Sequence, residues 1–137
     1  MTARILTTAM LSTLLFLFIG LTSASADDSP PKFDCSGQEC EVDQSIYDGW
    51  KVIRQVCIQC HGKYGEGANG PSLLERVPQI TREEFDHSIA NGVTRGNVPM
   101  PPWGSVSYVM DNLDNIYAYV MARVNGLEAK NLAKPKK

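Results

Sequence analysis

Apolar residues fall into two kinds of pattern along the chain. From Ala9 to Leu21 they form a nearly continuous run, broken by Ser12, Thr13 and Gly20. From Asp43 onward they recur at helical spacing instead. Ile46, Trp50, Ile53 and Cys57 lie three or four residues apart, which predicts an amphipathic helix opening at Asp43 as its N-cap. Thr81-Arg82-Glu83-Glu84 is a capping-box pattern, and it opens a helix carrying Phe85 and Ile89 and ending near Gly92. A last helix is predicted from near Asp111, with Leu113, Ile116, Tyr117, Val120 and Val124 in period and Gly126 as its stop. Between them, Gly62–Pro71 is rich in glycine, and Val93–Tyr108 holds Gly96, Pro99, Pro101, Pro102 and Gly104. Both read as loops. No segment alternates convincingly as a strand and no internal repeat is visible. The expected fold is all-α, with three main helices and long connecting loops.

The first apolar run is of a different kind. Arg4 precedes it, and Ala24-Ser25-Ala26 and the acidic pair Asp27-Asp28 follow. A charged start, a short apolar stretch and a small-x-small end form the pattern of a secretory signal peptide cleaved after about Ala26. The run is too short for a standard membrane-spanning helix of roughly 20 residues; an uncleaved N-terminal anchor remains the alternative. The organisation expected is a leader over 1–26, an arm over 27–42, one domain over 43–126 and a basic, mobile tail over 127–137. After cleavage no membrane span is left.

Composition narrows the function. Hydrophobic residues make up 43% of the chain and the formal charge is only −2, a balance that builds a core rather than a disordered chain. The leader's one charged side chain is Arg4, so its removal makes the protein more acidic still. That argues against nucleic acid, whose binders carry basic patches.

All four cysteines follow the leader. Cys57-Ile58-Gln59-Cys60-His61 is Cys-x-x-Cys-His, the attachment signal for c-type haem. Two thiols one helical turn apart can each add to a vinyl group of one porphyrin, and the adjacent histidine can offer a nitrogen to the iron. A thioredoxin-like pair would want a preceding strand. A zinc site would want a second ligand pair, a role the Cys35/Cys40 spacing fits poorly. Cys35 and Cys40 then remain, across a Ser-Gly turn, as a small disulfide loop. It reads either as a local staple of the arm or as a labile regulatory bond. Gly65-x-Gly67-x-x-Gly70 spells a dinucleotide fingerprint, but a haem motif precedes it and a proline follows, so the strand–helix context is missing.

A second axial ligand is sought among Met100, Met110, Met121 and His87. Met100 lies in Val98-Pro99-Met100-Pro101-Pro102-Trp103, where prolines stiffen the loop and hold a thioether in place with little ordering cost. Met110 and Met121 read as filler, and His87 as a polar helix residue. His61/Met100 ligation raises the reduction potential and closes both axial positions. Such a haem moves single electrons and performs no bond chemistry. A peroxidase-like haem enzyme or a gas sensor with a releasable Met100 is the alternative.

With Cys57–His61, Gly70-Pro71-Ser72-Leu73, Met100 and Ile116-Tyr117-Ala118-Tyr119-Val120 in place, residues 43 to 125 resemble a class I c-type cytochrome. The resemblance implies a small helical fold wrapped around one covalent haem. It also implies that the Pro71 carbonyl accepts a hydrogen bond from the proximal His61. Its first and last helices cross, with Gly49 and Ile53 facing Ile116 and Tyr119. More narrowly, Gly70–Val77, Arg95-Gly96 and Met100–Gly104 resemble small periplasmic cytochromes that accept electrons from PQQ-dependent alcohol dehydrogenases. That implies a monomer in the periplasm, a quinoprotein dehydrogenase as donor, and another cytochrome or a terminal oxidase as acceptor. In that setting Trp103 covers the porphyrin near a propionate; plain core packing is the other reading. Lys51, Arg54, Lys63 and Arg95 flank the haem-contacting segments, either as a rim that steers an acidic donor or as an ordinary solvated surface.

Overall fold

The computed structural model describes residues 32–94, 98–132 and 135; the expected leader, Arg95 and Gly96 lie outside them. The first helix, α1, spans Gln44–Val52. Asp43 caps it in extended geometry, with Oδ1 accepting the Ile46 N–H at 3.0 Å. The other carboxylate oxygen accepts the Lys32 N–H at 3.0 Å, so the same side chain ties the arm to the helix. From α1 the chain runs into a π-helical turn, Ile53–Cys57, and then into α2, Ile58–His61.

The buried face of α1 is offset from the simple stripe. A straight 3.6-residue period places Ile46, Trp50, Ile53 and Cys57 on one stripe. The buried residues are instead Ile46, Gly49, Val52 and Ile53. Trp50 sits at the edge, half-buried, with Tyr47 against its ring at 5.3 Å and the Arg54 guanidinium over it at 5.3 Å. A π turn takes up an extra residue, rotating the cysteines relative to the helix before them.

The partner of α1 is α6, Leu113–Val124, which buries Ile116, Ala118, Tyr119, Val120 and Ala122. The two helices cross at Gly49, where a Cβ would lie 1.9 Å from the Asn115 carbonyl oxygen and 2.9 Å from Tyr119 Cβ. Glycine is required there for room. The middle helix, α4, spans Arg82–Asn91, and Thr81 Oγ1 accepts the Glu84 N–H at 3.1 Å. Only half of the expected box forms, because the Glu84 carboxylate pairs with Arg76 at 3.0 Å instead of reaching back.

Two short helices lie where the pattern predicts none: α3, Leu73–Arg76, just past the glycine-rich loop, and α5, Ser107–Met110, which starts inside the expected Val93–Tyr108 loop. A four-residue helix is about one turn long, too short to display a period. The arm carries two strands, contrary to the expectation of none: β1, Phe33–Asp34, pairs antiparallel with β2, Glu41–Val42. A Cys35–Cys40 disulfide closes the hairpin between them. Cys40 in turn pairs in parallel with Leu132, its N–H reaching the Asn131 carbonyl at 2.7 Å. Leu127 and Ala129 are buried, so the described part of the tail packs into the same core as the arm.

Candidate functional site

The end of the α1–α2 run forms one wall of an apolar cleft, with Val56, Cys57, Cys60 and His61 lining it and Pro71 beside them. His61 is 7% exposed. Its Nδ1 lies 2.8 Å from the Pro71 carbonyl oxygen. A carbonyl can only accept, so Nδ1 carries the proton and Nε2 keeps its lone pair for a metal. Cys57 and Cys60 are free thiols. Burial, with the neighbouring Cys60 adding to it, pushes the Cys57 thiol up to about 11, so at neutral pH it is held as SH.

The loop after His61 is fastened at several points. Gly67 N–H donates to the His61 carbonyl and Gly70 N–H to that of Cys60, each at 2.7 Å. A Cβ on Gly70 would stand 3.3 Å from His61 Cε1, so the loop closes tightly on the imidazole. From α6, the Tyr119 hydroxyl donates to the Tyr64 carbonyl at 3.2 Å and Arg123 Nε donates to the same oxygen at 3.5 Å. Arg123 also donates to the Leu127 carbonyl. Burial pushes the Tyr119 hydroxyl well above its ordinary pKa, which keeps it a donor.

Met100, Trp103, Val98, Pro99 and Pro101 line the same cleft from the proline-rich strap. The Met100 backbone exchanges two hydrogen bonds with Val93, at 2.9 and 3.0 Å. Met110, Met121 and His87 do not line the cleft, and His87 is exposed on α4. The structure thus gathers Cys57, Cys60, His61, Pro71, Met100 and Trp103 in one place. Sequence reading missed Val56 and Val98 as lining residues, and Tyr119 and Arg123 as clamps on the Tyr64 loop. No sequence signal marks a side chain that reaches a backbone carbonyl 55 or 59 residues away.

The donor set fits a c-type haem: two thiols one turn apart, a buried imidazole with one nitrogen free, a methionine in the same cleft and an apolar lining. Fold and cleft together define a single-haem c-type cytochrome. The chain matches the family model described as Cytochrome C oxidase, cbb3-type, subunit III over residues 44–120, and it belongs to this cytochrome c family. It is 31% identical over 122 residues to cytochrome c-555 of Methylococcus capsulatus, with 87% of each chain covered. It is 32% identical over 96 residues to cytochrome c-551 of Bacillus subtilis, covering 66% of this chain and 82% of that one. The crystal structure of c-type cytochrome XoxG from Methylobacterium extorquens matches with a TM-score of 0.68 at 26% identity, over 81% of this chain and 70% of that chain. The protein is therefore an electron carrier and not an enzyme, binding haem c through a cysteine pair. No helix among the described residues is long and apolar enough to cross a membrane.

Proposed function

We propose that the mature chain is a monomeric periplasmic carrier with one haem c. Cys57 and Cys60 form its thioether bonds, and His61 and Met100 are its axial ligands. One observation carries this reading. A buried imidazole whose free nitrogen is Nε2 lines the same apolar cleft as a thioether mounted on a proline strap. When bound, the group supplies one-electron exchange between Fe(III) and Fe(II). The chain's own contribution is to hold, orient and shield. Pro71 keeps the proton on Nδ1, which fixes the tautomer and the orientation of the ring. Val56, Val98 and the prolines line the cleft with apolar surface, and Trp103, which lines it too, would cover the bound group and offer its indole N–H to a propionate.

The donor is a PQQ-dependent alcohol dehydrogenase and the acceptor another cytochrome or a terminal oxidase. The Gly70–Val77 and Met100–Gly104 motifs support that assignment. So does the surface beside the haem motif. Arg54 lies over the Trp50 ring and Lys63 over the Tyr64 ring at 5.3 Å. Neither has a salt-bridge partner among the described residues, whereas Lys51 is paired with Asp48 at 2.6 Å. Two unpaired cations on aromatic faces suit an acidic docking partner.

The optical spectrum of the oxidised, haem-loaded protein tests the ligation. A low-spin spectrum with the weak far-red band of thioether-bound ferric haem is expected, with slow carbon monoxide binding after reduction. High-spin bands, or rapid carbon monoxide binding, would favour the haem enzyme or sensor. Stopped-flow mixing with quinoprotein dehydrogenases tests the donor. If none reduces the protein, that partner is removed and the carrier stands. The mass of the exported protein tests the leader, with a start at Asp27 plus one haem expected.

A further inference from the structure

The α4 C-terminus leaves carbonyls that no helical amide can satisfy. Here the Met100 strap satisfies two of them. Trp103 N–H donates to Ile89 O and Gly104 N–H to Ala90 O, each at 2.9 Å. One turn further on, Val93 and Met100 exchange their two backbone hydrogen bonds. The strap therefore lies directly on the helix end, and two glycines sit where they touch. A Cβ on Gly92 would stand 2.6 Å from Met100 O, 2.9 Å from Pro102 N and 3.1 Å from Pro101 C. A Cβ on Gly104 would stand 2.8 Å from Ala90 O. All of these neighbours are backbone atoms, which cannot rotate away as a flexible side chain can.

We infer that the C-terminal end of α4 is the mount for the methionine ligand, with Gly92 and Gly104 as positioning residues that set how firmly Met100 is held. The inference rests on the His61/Met100 reading above. Its physical basis is the stiffness of the strap. Pro99, Pro101 and Pro102 remove backbone freedom on both sides of Met100. A push at Met100 O or Pro102 N therefore displaces the strap as a unit and moves the thioether with it. A flexible loop would absorb the same push locally. The small residues at the contact, and not the ligand alone, govern how readily the sixth position opens.

Gly126 supplies an internal control. Gly92 has φ +75° and Gly126 has φ +101°, so alanine at either position adopts a conformation that side chains rarely take. At Gly126 a Cβ meets nothing within 4 Å. Gly126→Ala therefore carries the backbone strain alone, Gly104→Ala the collision alone, and Gly92→Ala both.

Carbon monoxide binding to the reduced protein and the far-red band of the oxidised protein are measured for the wild type and the three variants. Far-UV circular dichroism confirms that each is folded at the working temperature. Gly92→Ala and Gly104→Ala are expected to bind carbon monoxide about tenfold faster or more and to weaken the far-red band, the response to an overpacking strain of the usual size falling on the strap. Gly126→Ala is expected to match the wild type in both, whatever it costs in thermal stability. Wild-type rates in both strap variants, or an equal acceleration in Gly126→Ala, would overturn the inference. If Gly92→Ala does not fold, Gly104→Ala decides alone. A wild type without the far-red band would instead overturn the ligation reading, so the two failures are distinct.

Discussion

Replacing Gly49 by alanine sets two physical effects against each other. Alanine is the better helix former by about 1 kcal/mol, and Gly49 lies inside α1, so local propensity predicts a more stable protein. The crossing predicts the reverse. The new Cβ would stand 1.9 Å from the Asn115 carbonyl oxygen and 2.5 Å from its carbon. Ordinary contact begins near 3.4 Å, so the α6 backbone would have to retreat by about 1.5 Å. That retreat opens the tightest part of the core, where Ile46, Ile53 and Tyr119 are 0% exposed and Ile116 is 2% exposed. Overpacking of a well-packed core costs about 1–3 kcal/mol, and backbone against backbone belongs at the upper end. The net expectation is a loss of about 2 kcal/mol, or a fall in Tm of roughly 8–16 °C for a domain of this size. Thermal and guanidinium unfolding of the haem-loaded protein measure it. Gly37→Ala, whose nearest neighbour would be Glu39 O at 3.6 Å, is the control and should shift little. A Gly49→Ala protein as stable as the wild type would refute the packing argument and leave propensity in command.

Three further outcomes are expected. Opening the Cys35–Cys40 loop by a double serine substitution should cost at most about 2 kcal/mol on the chain-entropy model, because the ring is short, and leave the visible spectrum unchanged; a spectral change would show that the arm reaches the haem site. Tyr119→Phe should cost about 1 kcal/mol in chemical denaturation, because Arg123 still serves the Tyr64 carbonyl that loses the hydroxyl; a loss of several kcal/mol would mean that the hydroxyl holds the loop alone. Charge reversal at Lys63 and Arg95 should slow reduction by the donor at low ionic strength and do so less as salt rises; unchanged association rates at low salt would dispose of electrostatic steering.

Local chemistry was readable without the fold. Asp43 and Thr81 cap their helices as their side chains suggest, and Gly92 and Gly126 follow the helices they were expected to end. Each of these features depends on a hydrogen bond or a dihedral angle within a few residues. The cysteine pair, its histidine and the proline-held methionine are local in the same sense, since spacing and stiffness are properties of the sequence itself. Trp50 shares the period of Ile46 and Ile53 but ends half-buried at the edge of the core, because the place at the helix crossing goes to its neighbour Gly49, which packing and not periodicity decides. Periodicity also assumes a constant turn, and the π turn at Ile53–Cys57 interrupts it as the chain reaches the cysteine pair.

What the sequence alone determined, then, is the chemical kit and the ends of the main helices. Tertiary structure decided where the kit is assembled. The Nδ1 proton of His61 is fixed by a carbonyl ten residues away, and the loop behind it by side chains from α6. The arm becomes a hairpin because Cys40 finds Asn131 and Leu132, near the far end of the chain. Gly92 and Gly49 resemble each other in composition but differ in meaning: one makes room for the methionine strap, the other for a helix crossing. No pattern along the chain encodes the distance between backbones that lie far apart in sequence, so these roles became visible only in three dimensions.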